Sequence, residues 1–150
     1  MSRIAYVNGR FIPHNQASVH VEDRGYQFAD GIYEVVMVLN GQAIDYDGHL
    51  KRLYNSMKSL KIEANFSESS LRIIIARMIR LNYVVNGTIY LQVTRGVARR
   101  DHKFPSASQP ALVMTAKLLA SMPSPSQKGV AAITVADERW ARRDIKTIQL

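Results

Sequence analysis

The sequence has no cysteine among its 150 residues, which excludes disulfide bonds and metal sites built on thiolates. It has no apolar run of about 18 residues, the length that a membrane-spanning helix needs, and no apolar secretion signal at its N-terminus. Its four histidines lack the short spacing that places two metal ligands on one helical face. We therefore expect a cytoplasmic protein with neither a metal centre nor a membrane partner.

Basic residues outnumber acidic ones by 20 to 12, so the chain carries a net charge of +8. A basic nucleic-acid-binding module would explain this charge, and an anionic small-molecule ligand would explain it equally well. The basic residues are spread along the chain, and the densest group, residues 95–103, directly follows a predicted strand. Composition alone leaves both interpretations open.

Two Asn-Gly pairs predict tight β-hairpin turns, because both central positions of such a turn need positive φ. Asn8-Gly9 separates two short apolar runs, and Asn40-Gly41 follows the β-branched run 32–39. This run is almost continuously apolar, which predicts a central strand buried on both faces. Two further strands are predicted at residues 88–95 and 111–116.

Apolar residues at helical spacing predict two helices between the second hairpin and residue 87. The first follows Asp47 as N-cap, and its apolar stripe is Leu50, Leu53, Tyr54, Met57 and Leu60. The second opens at Ser67, with the stripe Leu71, Ile74, Ile75, Met78 and Ile79. We expect an α+β domain over residues 1–120, with an antiparallel sheet and both helices on one side. A proline-rich linker at 121–129 and the opening strand 130–136 of a second domain, 130–150, follow.

Four polar segments hold the candidate functional residues. They are Asp-Arg-Gly-Tyr-Gln-Phe-Ala-Asp-Gly-Ile-Tyr-Glu at 23–34, His-Leu-Lys-Arg-Leu at 49–53, the basic stretch 95–105, and residues 139–146, which end in Asp-Ile-Lys. In order and spacing, these segments resemble the class IV aminotransferases, the fold-type-IV pyridoxal-phosphate enzymes, across essentially the whole chain. Within that family the D-amino-acid transaminases are most similar. Branched-chain aminotransferases and aminodeoxychorismate lyases are the alternatives.

The resemblance implies that Lys146 is the catalytic lysine, whose amine condenses with the aldehyde of pyridoxal 5'-phosphate and moves a proton at the substrate Cα. It also implies that Arg52 binds the cofactor phosphate, for which a guanidinium offers forked donors and a permanent charge. Considered alone, Lys146 is a typical surface lysine. Arg52 alone is a typical helix arginine paired with a carboxylate one turn away. His49 lies on the same helical face as Arg52.

Arg100 and His102 resemble the carboxylate trap of the D-amino-acid transaminases, and Tyr33 matches the aromatic residue that joins them. A bidentate arginine would fix the substrate carboxylate and so decide which face of Cα meets the lysine. In that family the loop, here residues 96–110, reaches into the partner subunit's active site, so a homodimer is implied. Without the resemblance, the same residues could form a basic loop with no ligand.

The implied function is transamination between D-amino acids, such as D-alanine, and 2-oxo acids, with no nucleic-acid partner. Two features depart from the family pattern. Ala29 stands where glycine is common, which adds a methyl group and removes easy access to positive φ. Complete members are nearly twice as long, so residues 130–150 would be the truncated start of a larger α/β cofactor domain. The chain by itself is expected to be inactive.

Overall fold

The structure is a computed structural model that describes residues 3–63, 65–119 and 131–136. The chain divides into two units, Met1–Ala120 and Ser121–Leu150, and every helix and strand of the described residues lies in the first. The linker predicted at 121–129 and Lys146 lie outside the described residues, so both stay predictions. No helix in the described part of the chain is long and apolar enough to cross a membrane.

Six antiparallel strands form one sheet in the order β2-β1-β6-β5-β3-β4. The strands are β1 Ile4–Val7, β2 Arg10–Pro13, β3 Gly31–Leu39, β4 Gln42–Ala43, β5 Gly87–Thr94 and β6 Ala111–Leu118. The predicted antiparallel sheet is thereby confirmed. The central pairings β3 with β5 and β5 with β6 run the full length of β5.

Both predicted hairpins are confirmed, and the turn residues have the backbone angles that the Asn-Gly pairs indicate. Asn8 and Gly9 join β1 to β2 with φ of 45° and 92°, and Asn40 and Gly41 join β3 to β4 with φ of 50° and 75°. Both positions of each turn are therefore left-handed, as a two-residue hairpin requires.

Two long helices, α2 Tyr46–Ser59 and α3 Glu68–Leu81, follow the second hairpin. Helix α3 begins as predicted, because the Ser67 side chain accepts a hydrogen bond from the Ser70 backbone N–H and Ser70 bonds back. The prediction of Asp47 as the N-cap of α2 is wrong. The chain leaves β4 through Asp45, which has a left-handed φ of 49°, so helical geometry starts two residues earlier than predicted.

Both helices pack against one face of the sheet, where the core lies. The fully buried side chains that make up its centre are Leu53, Met57, Leu71, Ile75, Met78, Ile89, Leu91, Met114, Val36, Val38 and Val93. Of the predicted helix stripe, Leu60 is instead exposed. Leu60 is the C-cap that follows the last residue of α2, Ser59, so its side chain falls outside the helix–sheet contact.

The prediction that β3 is buried on both faces is wrong. Val36 and Val38 point into the core, whereas the alternating side chains of Tyr33, Val35 and Met37 are exposed. Successive residues of a strand point to opposite faces, and the helices of the described residues cover only one of them. A continuously apolar run therefore does not by itself mean burial on both faces.

The strand predicted at 130–136 is also absent from the described residues 131–136, all of which are exposed. Ile133 and Val135 favour extended backbone, but a strand also needs a neighbour to accept its hydrogen bonds. No pairing involves these residues within the part of the chain that the structure describes.

A short helix that sequence periodicity did not predict, α1 Arg24–Phe28, precedes β3. The carboxylate of Asp23 caps it by accepting a hydrogen bond from the Gly25 N–H at 2.8 Å. Ala29 ends the helix with a left-handed φ of 55°, and its N–H donates to the Gly25 carbonyl at 3.1 Å. The residue that replaces the common glycine thus adopts the strained conformation for which glycine is suited.

Candidate functional site

Glu34 lies between two basic residues of α2 at one edge of the core. Strand β3 presents its carboxylate toward α2, where His49 and Arg52 lie on neighbouring positions of one helical face. Arg52 donates from Nε to Glu34 Oε1 at 2.6 Å and from Nη2 to Oε2 at 2.6 Å. His49 Nδ1 lies 2.7 Å from Oε2. His49 and Arg52, which the sequence places on one helical face, thus meet at one carboxylate.

The pair is asymmetric in its exposure: Glu34 is 3% exposed and Arg52 is 67% exposed. Hydrogen bonding by Arg52 is the largest influence on the pKa of Glu34; burial raises this pKa, but Arg52 and His49 together hold it below its usual range. Glu34 is therefore an anion that orients Arg52. The alternative partner considered from the sequence, a carboxylate one turn away on the helix, is wrong, because the partner lies on β3.

Arg52 keeps donors for a ligand. Its Nε and Nη2 are directed to Glu34, and Nη1 has no hydrogen-bond partner among the described residues. The hydrogen bond with Glu34 raises the pKa of Arg52, so its positive charge is permanent. A guanidinium that is fixed on one edge and open on the other suits a phosphate or another oxyanion.

A second ionic cluster, Arg24–Asp30–Arg95, lies between α1, β5 and the loop that follows β5. Arg24 Nε donates to Asp30 Oδ2 at 2.7 Å, while Arg95 donates from Nε to Oδ2 at 2.8 Å and from Nη2 to Oδ1 at 3.0 Å. The side chains of Arg24, Arg95 and Asp30 are only 4%, 8% and 10% exposed. Burial alone would raise the pKa of Asp30, but hydrogen bonds and charges from Arg95 and Arg24 lower it overall.

The loop from Gly96 to Pro110 places both Arg100 and His102 against one aromatic ring, that of Phe28. The Arg100 guanidinium carbon lies 4.7 Å from the centroid of the Phe28 ring, and the His102 and Phe28 ring centroids are 5.5 Å apart. Arg100 makes no ion pair with any carboxylate of the described residues. Tyr33 instead stacks on Tyr90, with ring centroids 5.7 Å apart.

Within one chain, the structure thus brings Arg100 and His102 together and gives Tyr33 a different aromatic partner. Sequence reasoning assigned no role to Arg24, Phe28, Asp30 or Glu34, although all four lie in the segment 23–34 that the motif comparison singled out. The feature of the sequence that could have identified them is the high density of charged and aromatic residues beside glycines in this segment. Their partners are distant in sequence, so only the fold identifies them.

One cavity bordered by the described residues lies away from this site. It has a volume of about 780 Å³ and lies between the β1–β2 turn and the end of the loop, lined among others by Asn8, Phe66 and Gln109. None of the predicted site residues lines it. The candidate site is defined by its charged side chains.

Comparison with known proteins gives a consistent picture over almost the whole chain. The sequence is 39% identical to a D-alanine aminotransferase of Bacillus licheniformis over 143 residues, which is 95% of this chain and 50% of that protein. It is 41% identical to a D-alanine aminotransferase of Listeria innocua over 147 residues, 96% of this chain and 51% of that one. The chain spans about half the length of these relatives.

Solved structures with the same fold have less similar sequences. A branched-chain amino acid aminotransferase of Escherichia coli has a TM-score of 0.75 at 16% identity, covering 83% of this chain and 42% of that chain. A 4-amino-4-deoxychorismate lyase of Pseudomonas aeruginosa has a TM-score of 0.61 at 26% identity, covering 76% and 39%. The amino-transferase class IV family matches residues 31–150. The chain therefore belongs to the class IV aminotransferases.

Proposed function

We propose that this chain is the N-terminal part of a pyridoxal-phosphate-dependent aminotransferase that exchanges amino groups between D-amino acids, such as D-alanine, and 2-oxo acids. Its family and its D-alanine aminotransferase relatives support the reaction. A branched-chain amino acid aminotransferase that shares its fold was solved with pyridoxamine 5'-phosphate, which supports the cofactor. Residues 121–129 would then link this domain to the larger cofactor domain.

The residues present fit the phosphate of such a cofactor. Arg52 is held by Glu34 through its Nε and Nη2 and keeps Nη1 for an oxyanion. When bound, pyridoxal phosphate supplies an aldehyde that carries an amino group from one substrate to the next. Lys146 would hold that aldehyde and move the proton at the substrate Cα.

The observation that carries the substrate assignment is the placement of Arg100 and His102 on the Phe28 ring. Two side chains able to donate hydrogen bonds lie together on an exposed loop, and Arg100 lacks a carboxylate partner among the described residues. A substrate carboxylate would supply that partner and accept two parallel hydrogen bonds from Arg100.

We include a cytoplasmic homodimer in this proposal. Tyr33 does not contact the Phe28 ring that holds Arg100 and His102, which supports a loop that serves the partner subunit's site. Sedimentation of the full-length protein would test this part, and a monomer that retains full activity would contradict it.

The substrate assignment can be tested by steady-state kinetics of the full-length protein. Arg100→Met should raise KM for D-alanine about 10- to 100-fold, since hydrogen bonds to a charged group contribute about 1.5–3 kcal/mol. Arg99→Met is the matched control, because it removes an adjacent exposed arginine, and it should change KM less than about twofold. Equal effects of the two variants would contradict the assignment.

D-alanine, L-leucine and aminodeoxychorismate should be compared as substrates of the unaltered protein. Preference for L-leucine would indicate a branched-chain aminotransferase, and preference for aminodeoxychorismate would indicate the lyase. The cofactor part has its own test: Lys146→Ala should abolish the visible absorbance of bound pyridoxal phosphate, and Arg52→Met should weaken its binding. Retained absorbance in Lys146→Ala would refute the lysine assignment.

A further inference from the structure

We propose that Arg24 is a positioning residue that holds Arg100 and His102 in place for the substrate carboxylate. This inference rests on the proposed function. It concerns the Arg24–Asp30–Arg95 cluster, to which neither the sequence nor the family comparison assigned a role. It predicts that a buried arginine outside the site controls how well the site binds amino acids.

Arg24 forms hydrogen bonds to the loop on both sides of His102. Its Nη1 donates to the carbonyl oxygen of Asp101 at 2.8 Å and to that of Lys103 at 3.4 Å, and these two peptides flank the histidine. The backbone N–H of Arg24 also donates to the Gly96 carbonyl at 2.9 Å, where the loop begins. One residue of α1 therefore fixes both the base of the loop and the segment that carries its functional side chains.

The guanidinium of Arg24 is itself oriented by hydrogen bonds within a largely buried cluster. Asp30 accepts from its Nε, and Asp30 is in turn held by two hydrogen bonds from Arg95. Arg95 also donates to the backbone carbonyls of Leu60 and Lys61 at 2.8 and 3.0 Å, where α2 ends. A continuous series of charged hydrogen bonds thus joins the helix α2 to the loop. Its members are mostly buried, so water competes little for them.

Phe28 connects the anchor to the functional side chains. The guanidinium carbons of Arg24 and Arg100 lie 4.8 and 4.7 Å from the centroid of its ring, and the ring of His102 lies 5.5 Å away. Two like charges therefore share one aromatic ring, and Asp30 neutralises only part of the cluster. A bound carboxylate would relieve the remaining repulsion, which makes the arrangement suited to an anion.

The expected effect follows from pre-organisation. If the loop is correctly placed only a tenth of the time once Arg24 is lost, the apparent affinity for substrate falls about tenfold. The chemistry after binding is unchanged, so kcat should stay within about twofold. The substitution should therefore raise KM and leave kcat largely intact.

The test uses the full-length protein with two substitutions, Arg24→Met and Arg24→Lys. Methionine removes the charge and every donor, whereas lysine keeps the charge beside Asp30 but lacks the forked donors. Trypsin cleavage after Arg99, Arg100 and Lys103 reports release of the loop directly, and we expect it to be at least about fivefold faster in Arg24→Met. KM for D-alanine should rise about tenfold. Arg24→Lys should show smaller increases in cleavage rate and in KM. It serves as the test variant if Arg24→Met does not fold.

Asn82→Ala is the matched control for general loss of stability. Asn82 ties the end of α3 to β1 through hydrogen bonds with the N–H and carbonyl of Ile4 at 2.8 and 3.1 Å, and it does not contact the loop. It should lower the melting temperature without speeding cleavage of the loop or changing KM. Equal effects of Asn82→Ala and Arg24→Lys on cleavage and KM would overturn the inference.

The outcomes separate this inference from the proposed function. Unchanged cleavage in the Arg24 variants would show that Arg24 does not hold the loop. If cleavage became faster and KM stayed unchanged, while Arg100→Met did raise KM, placement of the loop would not limit substrate binding. Either of these two results would refute the positioning role of Arg24 and leave the proposed function standing. If Arg100→Met also left KM unchanged, the proposed substrate site itself would be wrong.

Discussion

Replacing Asp30 with asparagine should destabilise the fold more than any other single change of charge in the described residues. Among the residues that the structure describes, Asp30 is the one carboxylate that contacts two buried guanidinium groups, those of Arg24 and Arg95. Its loss leaves two buried cations without a counter-charge, and breaking a buried pair in this way costs about 3–5 kcal/mol. Both arginines keep backbone carbonyl partners, so we expect the low end, about 3 kcal/mol.

Urea-induced unfolding near neutral pH measures this difference, and the melting temperature should fall by about 10 °C for a chain of this size. The matched control is Asp47→Asn, because Asp47 forms an ion pair with Arg72 in which the side chains are 86% and 58% exposed. The control should cost about 0.5 kcal/mol or less. If Asp30→Asn cost no more than the control, the cluster would contribute nothing beyond a surface ion pair.

The ion pairs of Asp30 also determine how the stability difference between the unaltered chain and Asp30→Asn depends on pH. The pKa of Asp30 is lower in the folded chain than its unfolded value of about 4. Its contribution is therefore fully present above that unfolded value and is lost as the pH falls through the folded pKa. The stability gap between the unaltered chain and Asp30→Asn should be constant from neutral pH to about 4 and should narrow below it. A stability gap that instead widened on acidification would refute the direction of the Asp30 pKa shift.

Three further outcomes follow from the backbone and from one buried phenol. Ala29→Gly should raise the free energy of unfolding in urea by about 0.5–1 kcal/mol, since alanine there has a φ of 55°. An unchanged free energy would mean that this conformation is unstrained. Gly96→Ala should lower the free energy of unfolding by more than about 3 kcal/mol or prevent folding, because Gly96 has a φ of 93° and an added methyl would collide with the Gln109 carbonyl. A soluble variant of normal stability would contradict this. Burial raises the pKa of Tyr46 to about 12, so its contribution to stability should be complete below about pH 10 and decline from there toward pH 12. Tyr46→Phe should reduce the fall in urea midpoint over this pH range, and an unchanged fall would contradict the assignment.

The candidate site was predictable only in part. Arg100 and His102 could be selected because an arginine and a histidine two residues apart after a strand resemble the carboxylate trap of the D-amino-acid transaminases. The partners that orient the site could not, since Glu34 and Arg52 are 18 positions apart and Arg24 and Asp101 are 77 apart. Contacts of that separation depend on strand order and helix packing, which no local pattern encodes.

Short sequence patterns specify the local features of this fold. The Asn-Gly pairs specified both hairpins because left-handed backbone is accessible to those residues, and Ser67 specified the start of α3 because its hydroxyl can reach an unpaired backbone N–H. The tertiary structure alone decided which face of β3 is covered and that one carboxylate, Asp30, joins α1, β5 and the loop. Burial and ion pairing depend on what packs alongside a residue, and this is settled only when distant segments come together.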